Sequence, residues 1–211
     1  MSSTQAGHVY GSGYGPERAD DTALYLWPPV LRRLASLPPA SRVLDAGCGN
    51  GFFAKQLQQK GFDVAGMDLE ESGIYHARRS FPDIRFELAS VYDDVSALLG
   101  QPFDAVVSLE VIEHLYDPRA FVSRVKECLR PGGLFILSTP YHGYLKNVLV
   151  ALSGKFDAHV SPLWNGGHIK FWSRRTLTSL LEEKGFRVES FIGAGRLPYL
   201  WKSMILVASR P

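Results

Sequence analysis

Val43-Leu44-Asp45-Ala46-Gly47-Cys48-Gly49-Asn50-Gly51 is the stretch that decides the fold. A short apolar strand runs straight into three glycines at alternate positions. Glycine has no side chain and tolerates positive φ, so such a turn between a first strand and a first helix lets backbone amides approach a ligand closely. The spacing is Asp-x-Gly-x-Gly-x-Gly, which departs from the Gly-x-Gly-x-x-Gly dinucleotide fingerprint and places Asp45 inside the strand. Outward from this turn, short apolar runs alternate with amphipathic stretches. Strands are expected near 42–46, 63–67, 84–88, 103–109 and 133–138, with helices near 51–60, 72–80, 92–99 and 118–130. That rhythm implies a parallel sheet with right-handed crossovers, helices on both faces and ligands at the carboxyl ends of the strands. Lys60-Gly61, Leu99-Gly100 and Arg130-Pro131-Gly132-Gly133 mark helix ends.

The flanks are less regular. Gly7 to Gly15 reads as a glycine- and tyrosine-rich arm, and Glu17 to Ser36 as a mainly helical segment interrupted at Pro28-Pro29. After Pro140 the periodicity breaks, and residues 141–167 form a long connection of the kind that usually serves function. Ser173-Arg174-Arg175-Thr176 then caps a helix that runs to Lys184 before Gly185, and strands near 187–192 and 203–208 complete the sheet. The expectation is one domain over 1–211, with an N-terminal arm and helix over 1–40 and an insertion over 141–167 that covers the ligand end.

With 211 residues, 45% of them hydrophobic, the chain can bury one large core. Lys and Arg total 23 against 21 for Asp and Glu, so charge gives no general pull toward nucleic acid or an acidic membrane. RNA is further disfavoured by the lack of a basic stripe. Cys48 and Cys128 have neither zinc-site spacing nor the density of a disulfide framework, and together with the lack of a signal-peptide pattern they point to the cytoplasm. No apolar stretch approaches the ~20 residues of a membrane span.

The glycine loop, Asp68 at the end of the second strand, and Pro131-Gly132-Gly133 before the fifth together resemble the class I S-adenosylmethionine-dependent methyltransferases over about residues 40–139. The resemblance implies a Rossmann-like α/β fold with a mostly parallel seven-stranded sheet, and S-adenosylmethionine as cofactor. It places Asp45, Gly47, Cys48, Gly49 and Gly51 against the methionine part, and Asp68, with Leu69 beside it, at the ribose hydroxyls. A carboxylate suits a vicinal diol, since each oxygen accepts one hydroxyl proton. Where the family often has an acidic residue after the third strand, this chain has Leu88-Ala89-Ser90-Val91. Ser90 and the Val91 backbone are the candidates there, with Asp93 the alternative, and Leu109 completes the cofactor-binding set. A nicotinamide dehydrogenase is the nearest competitor by fold, and the glycine spacing disfavours it.

After the fourth strand stands Glu110-Val111-Ile112-Glu113-His114, where one helical turn would bring two carboxylates and an imidazole toward one side. Carboxylate oxygen with imidazole nitrogen is a ligand set for magnesium, manganese or zinc. Gly166-Gly167-His168 offers a chain reversal that presents a fourth ligand. The cluster is similar to the metal site of the ubiquinone-biosynthesis O-methyltransferases and of the enzymes that methylate the terminal 2′-hydroxyl of small RNAs. That resemblance implies Glu110, Glu113, His114 and His168 as ligands and methyl transfer to the oxygen of a small-molecule acceptor. Without a metal, His114 or His142 would serve as base, Glu113 joining them as a catalytic candidate, and the chain would be an N- or C-methyltransferase. A third reading is a catalytically silent cofactor-binding module. Tyr141, Tyr144, Phe156, Trp164, Phe171 and Trp172 suit a flat or apolar acceptor, or the insertion's own core. Tyr144 to Leu152 could rest on a membrane surface, although packing against the domain is the favoured reading.

Overall fold

The computed structural model describes residues 22–100, 102–160 and 166–211. Its strands are β1 (Arg42–Ala46), β2 (Asp63–Asp68), β3 (Arg85–Leu88), β4 (Phe103–Ser108), β5 (Leu129–Pro140), β6 (Arg187–Ala194) and β7 (Ser203–Ser209). They form one sheet in the order β3-β2-β1-β4-β5-β7-β6, in which β7 runs antiparallel to both its neighbours and every other pairing is parallel. The chain winds outward from β1 to β3 and then returns to the other side of β1 as β4. In such a sheet the crevice for a ligand opens at the carboxyl ends of the two strands flanking the reversal. Those ends carry Gly47 and Glu110.

The helices are α1 (Ala23–Leu34), α2 (Phe52–Gln59), α3 (Glu71–Ser80), α4 (Val95–Leu99), α5 (Pro118–Cys128), α6 (Tyr144–Leu152), α7 (Phe156–Val160) and α8 (Arg174–Glu183), with a 3₁₀ turn at Ile112–His114. Successive strand side chains point to opposite faces, so β1 feeds two cores. Leu44 and Ala46 join Phe121 and Val125 of α5 and Leu177 and Leu181 of α8, while Val43 joins Val30 of α1, Phe53 and Leu57 of α2 and Ile74 of α3. Burial on both faces explains why the strands read as nearly continuous apolar runs.

Local chemistry sets the boundaries. Asp94 accepts the Ser96 and Ala97 N–H groups and starts α4 at Val95, later than the expected 92. Asp117 accepts the Ala120 N–H at the start of α5, and Ser173 and Thr176 form a reciprocal capping box at α8. Pro28 and Pro29 do not interrupt α1 as expected. They lie inside one continuous helix, past its first turn, so each removes an i→i−4 donor, while Pro29 and Val30 are buried in the core.

The helix α6 overturns the expectation that Tyr144 to Leu152 packs against the domain. Tyr144 is 86% and Leu152 80% exposed, Leu145 and Leu149 face outward as well, and the buried residue of the helix is Lys146. Tyr144, Phe156 and Phe171 are exposed too, so they form no core for the insertion, whereas Tyr141 is buried. No helix among the described residues is long and apolar enough to cross a membrane. The arm over 7–15, the start of the segment expected from Glu17, and Trp164 lie outside the described residues.

Candidate active site

Gly47, Gly49 and Gly51 all adopt positive φ, at 88°, 51° and 81°. Gly47 and Cys48 donate their N–H groups to the Met67 carbonyl, and Gly49 donates to Asp68 Oδ2 at 2.8 Å, so the loop is hung on the end of β2. Space is as restrictive as φ: a Cβ on Gly47 would meet Val111 Cγ2 at 2.3 Å, and one on Gly51 would meet the Phe86 ring at 2.8 Å. The Cys48 thiol is buried, pushed well above its ordinary range first by burial and then by Asp45 and Asp68, so Cys48 serves the loop through its backbone.

Asp68 is half-buried, and burial raises its carboxyl while the Glu70 and Gly49 N–H groups oppose the shift. Its Oδ1 accepts from Glu70 and its Oδ2 from Gly49. Each carboxylate oxygen has a second lone pair, which leaves acceptor capacity for a diol. Asp68→Ala is expected to weaken S-adenosylhomocysteine binding by about 1.5–3 kcal/mol, the range for hydrogen bonds to a charged group. Calorimetry measures it, and unchanged affinity in a folded variant removes Asp68 from the site.

Asp45 is buried against α2, and its Oδ2 has no hydrogen-bond partner among the described residues. Burial and then the neighbouring Asp68 raise its carboxyl from 3.8 to about 7, against the Ala54 N–H. A buried carboxyl without a counter-charge beside a glycine loop fits a cationic ligand group. The folded protein therefore keeps a proton that the unfolded chain releases between pH 4 and 7, and stability falls as pH rises through that window. Asp45→Asn is expected to flatten this slope by up to about 4 kcal/mol. Urea unfolding of both proteins from pH 4 to 8 reads it, and parallel pH profiles would show that Asp45 titrates normally.

Leu69 is 62% exposed beside Asp68, free to cover an aromatic ring. The Ser90 N–H donates to Asp93 and the Ser90 hydroxyl accepts from the Tyr92 N–H, so Asp93 is folded back into its own turn. Ser90 and Val91 remain half-buried at the end of β3, and Leu109 packs against the α1–α3 core.

The acceptor side is built on the segment after β4. Glu110 has φ 55°, an uncommon conformation for a residue with a side chain. Its carboxylate accepts from the Ser138 hydroxyl at 2.7 Å and the Ser203 hydroxyl at 3.1 Å, which fastens it to β5 and β7. Glu110 is thus not carried on the turn with Glu113 and His114, contrary to the expectation of one helical face. Glu113, His114 and His168 do converge, with one potential ligand atom of each within 4.8 Å of the others. The Glu113 carbonyl accepts from both the Ile169 and Lys170 N–H groups, pinning the returning chain against the turn. His114 Nδ1 donates to the Gly166 carbonyl at 2.7 Å, so Nε2 is the nitrogen that would serve as a ligand. Both Glu113 oxygens are sealed from solvent without a hydrogen bond among the described residues. Burial, then Glu110, push the Glu113 carboxyl well above the usual carboxylate range, against the Thr139 hydroxyl. Burial and His114 lower His168 to about 4, which keeps it in the neutral form that coordinates. A buried carboxyl beside two imidazoles is a donor set that fits a divalent cation.

His142 lies off this cluster, its ring 5.1 Å from Phe171 and 5.5 Å from His159. Burial and Lys146 lower it to about 4, which makes it a weak proton acceptor. Lys146, His159, Ser138 and Ser203 were outside the sequence reading. Lys146 had a legible signal, a lone cation in an apolar helix, whereas the two serines meet Glu110 only through tertiary structure. A groove of about 380 Å³ lined by Pro118, Arg119, Trp172, Arg175, Thr176 and Glu183 holds none of the predicted site residues.

A family model described as a methyltransferase domain matches residues 18–190. The chain is 34% identical over 164 residues to a probable S-adenosylmethionine-dependent methyltransferase of Mycolicibacterium smegmatis, covering 78% of this chain and 59% of that protein. It is 31% identical over 148 residues to a ubiquinone biosynthesis O-methyltransferase of Dinoroseobacter shibae, covering 68% and 59%. The chain thus spans about three fifths of the length of these relatives. Its fold is similar to that of magnesium protoporphyrin IX methyltransferase from Synechocystis with bound S-adenosylhomocysteine, with a TM-score of 0.62 at 23% identity over 87% of this chain and 79% of that one.

Proposed function

The chain belongs to the class I S-adenosylmethionine-dependent methyltransferases, and from that membership we propose that it transfers a methyl group to a hydroxyl oxygen of a small-molecule acceptor with the help of a divalent cation. The observation that carries the oxygen and the cation is the convergence of Glu113, His114 and His168 at the carboxyl end of β4. The cofactor brings a methyl carbon already activated by a sulfonium, so the protein has to align the acceptor and manage its proton. Asp45 and the glycine loop hold the methionine end, Asp68 the ribose, and Leu69, Ser90 and Val91 border the adenine. Glu113, His114 and His168 would hold the cation, whose chemistry there would be to lower the pKa of an acceptor hydroxyl. Glu110, clamped by two serines, fixes the backbone between cofactor loop and turn. Helices α6 and α7 of the insertion would cover the acceptor side and keep water from it. The test is to incubate the protein with labelled cofactor and cell extract and to identify the labelled product by mass spectrometry. A label on oxygen is expected, and a label on nitrogen or carbon would overturn the reading.

A further inference from the structure

Ser108 on β4, Ser138 on β5 and Ser203 on β7 are fully buried at the end of the sheet that carries the cofactor loop. The Ser108 hydroxyl donates to the Ala46 carbonyl at 2.8 Å, so β4 holds the peptide that leads into Gly47. Further along the same segment, Val111 presses on Gly47 itself and leaves no room for a Cβ there. Residues 108–111 therefore grip the Ala46–Gly47 step at both ends, and the backbone of Glu110 sets the spacing between the two grips. Its φ of 55° is one that a side chain disfavours, because Cβ is brought toward the following carbonyl oxygen. The other two serines hold it there. Ser138 Oγ accepts the Glu110 N–H at 3.0 Å and donates to Glu110 Oε1 at 2.7 Å, while Ser203 Oγ donates to Oε2 at 3.1 Å. Hydrogen bonds to an ionised carboxylate belong to the strong class. Both carboxylate oxygens and the N–H of one strained residue are thus tied to β5 and β7, strands that carry no part of the cofactor loop. A disfavoured φ persists only where the surroundings over-determine it, and such places often serve function.

We infer that Ser138 and Ser203 are positioning residues for the cofactor: by holding Glu110 at positive φ they keep Val111 against Gly47, and so fix the backbone on which S-adenosylmethionine binds. This role presupposes that the glycine loop binds the cofactor, and it needs neither the acceptor nor the cation. Affinity for the cofactor then depends on Ser203, a residue of the antiparallel strand, through Glu110 and Val111.

The affinity of folded variants for S-adenosylhomocysteine is to be measured by calorimetry, with the Gly47 amide resonance as the local signature and urea unfolding as a separate measure of stability. Glu110→Ala and Glu110→Gly both lack the carboxylate, but alanine is strained at positive φ whereas glycine adopts it freely. Glu110→Ala is expected to lose at least ~10-fold in affinity, and Glu110→Gly only about 3-fold. Ser138→Ala and Ser203→Ala are each expected to lose about 3-fold and to shift the Gly47 amide, and the double variant to approach Glu110→Ala. Should the double variant not fold, the single variants and the alanine–glycine pair carry the test. Equal losses in Glu110→Ala and Glu110→Gly would mean that the carboxylate itself acts on the cofactor, and would overturn the inference. So would unchanged affinity and an unmoved Gly47 amide in both single serine variants, whatever their stability, since a purely structural clamp behaves in that way. Asp68→Ala tests the premise separately. A loss there without any in the serine variants overturns the positioning role and leaves the loop as the binding site, whereas no loss in either removes both.

Discussion

Protein stripped by a chelator is expected to lose at least ~100-fold in turnover, the equivalent of the several kcal/mol that a Lewis acid supplies, and to recover it when magnesium, manganese or zinc is restored. Cofactor binding should be unaffected, because Asp45, Asp68 and the glycine loop lie on β1 and β2 rather than on the turn after β4. Glu113→Gln and His168→Ala should each abolish stoichiometric metal binding, measured directly on the protein. Glu110→Gln should lose much less, since the Glu110 carboxylate is already held by Ser138 and Ser203. Comparable losses in all three variants would restore Glu110 as a fourth ligand. Full turnover by metal-free protein would falsify the catalytic role of the cation. His114 would then be the base, and His168 a structural residue tied in through the bonds of Ile169 and Lys170 to Glu113.

Gly47→Ala is expected to cost about 2–5 kcal/mol of stability, combining backbone strain with overpacking. The strain comes from φ 88°, and the overpacking from a Cβ placed 2.3 Å from Val111 Cγ2. Gly61 supplies the control: it has the same φ of 88°, and nothing lies within 4 Å of its Cβ position. Gly61→Ala should therefore show the strain alone, and the difference between the two variants in urea unfolding measures the clash. Displacing Val111 also moves the segment between Glu110 and the 3₁₀ turn, so Gly47→Ala should weaken S-adenosylhomocysteine and metal binding together. Equal destabilisation by the two variants would mean that Val111 yields without resistance.

The strands were legible because a sheet buried on both faces forces apolar runs at fixed intervals, and the helix ends because caps are local chemistry, as Asp117 and Ser173 illustrate. Two kinds of feature were not. A proline signals a broken helix through its lost donor and the clash of its ring with the preceding turn, and sequence could not show that α1 would run through Pro28 and Pro29 with Pro29 buried in the core. Periodicity likewise reveals that α6 has an apolar face but not what covers it, so the outward Leu149 and Leu152 and the inward Lys146 reversed the expectation. At the site, ligand chemistry and a glycine reversal single out Glu113, His114 and His168, and the fold does bring those three together. The positive φ of Glu110 and its hydrogen bonds to Ser138 and Ser203, residues distant in sequence, could not be read there.

The position of β7 between β5 and β6 means that the sheet cannot be laid down strand by strand in the order the ribosome delivers it. When β6 emerges it has no edge to join, for its partner along the whole register from Arg187 to Ala194 is β7. Until β7 slides in, the β5 edge stands unpaired and its neighbour strand is an orphan. Non-local pairings of this kind slow folding and leave sticky edges open to other chains. The half of the molecule that closes last also carries Ser203, one of the two clamps on Glu110. Nascent chains would hold a donor loop well before they hold a finished acceptor wall.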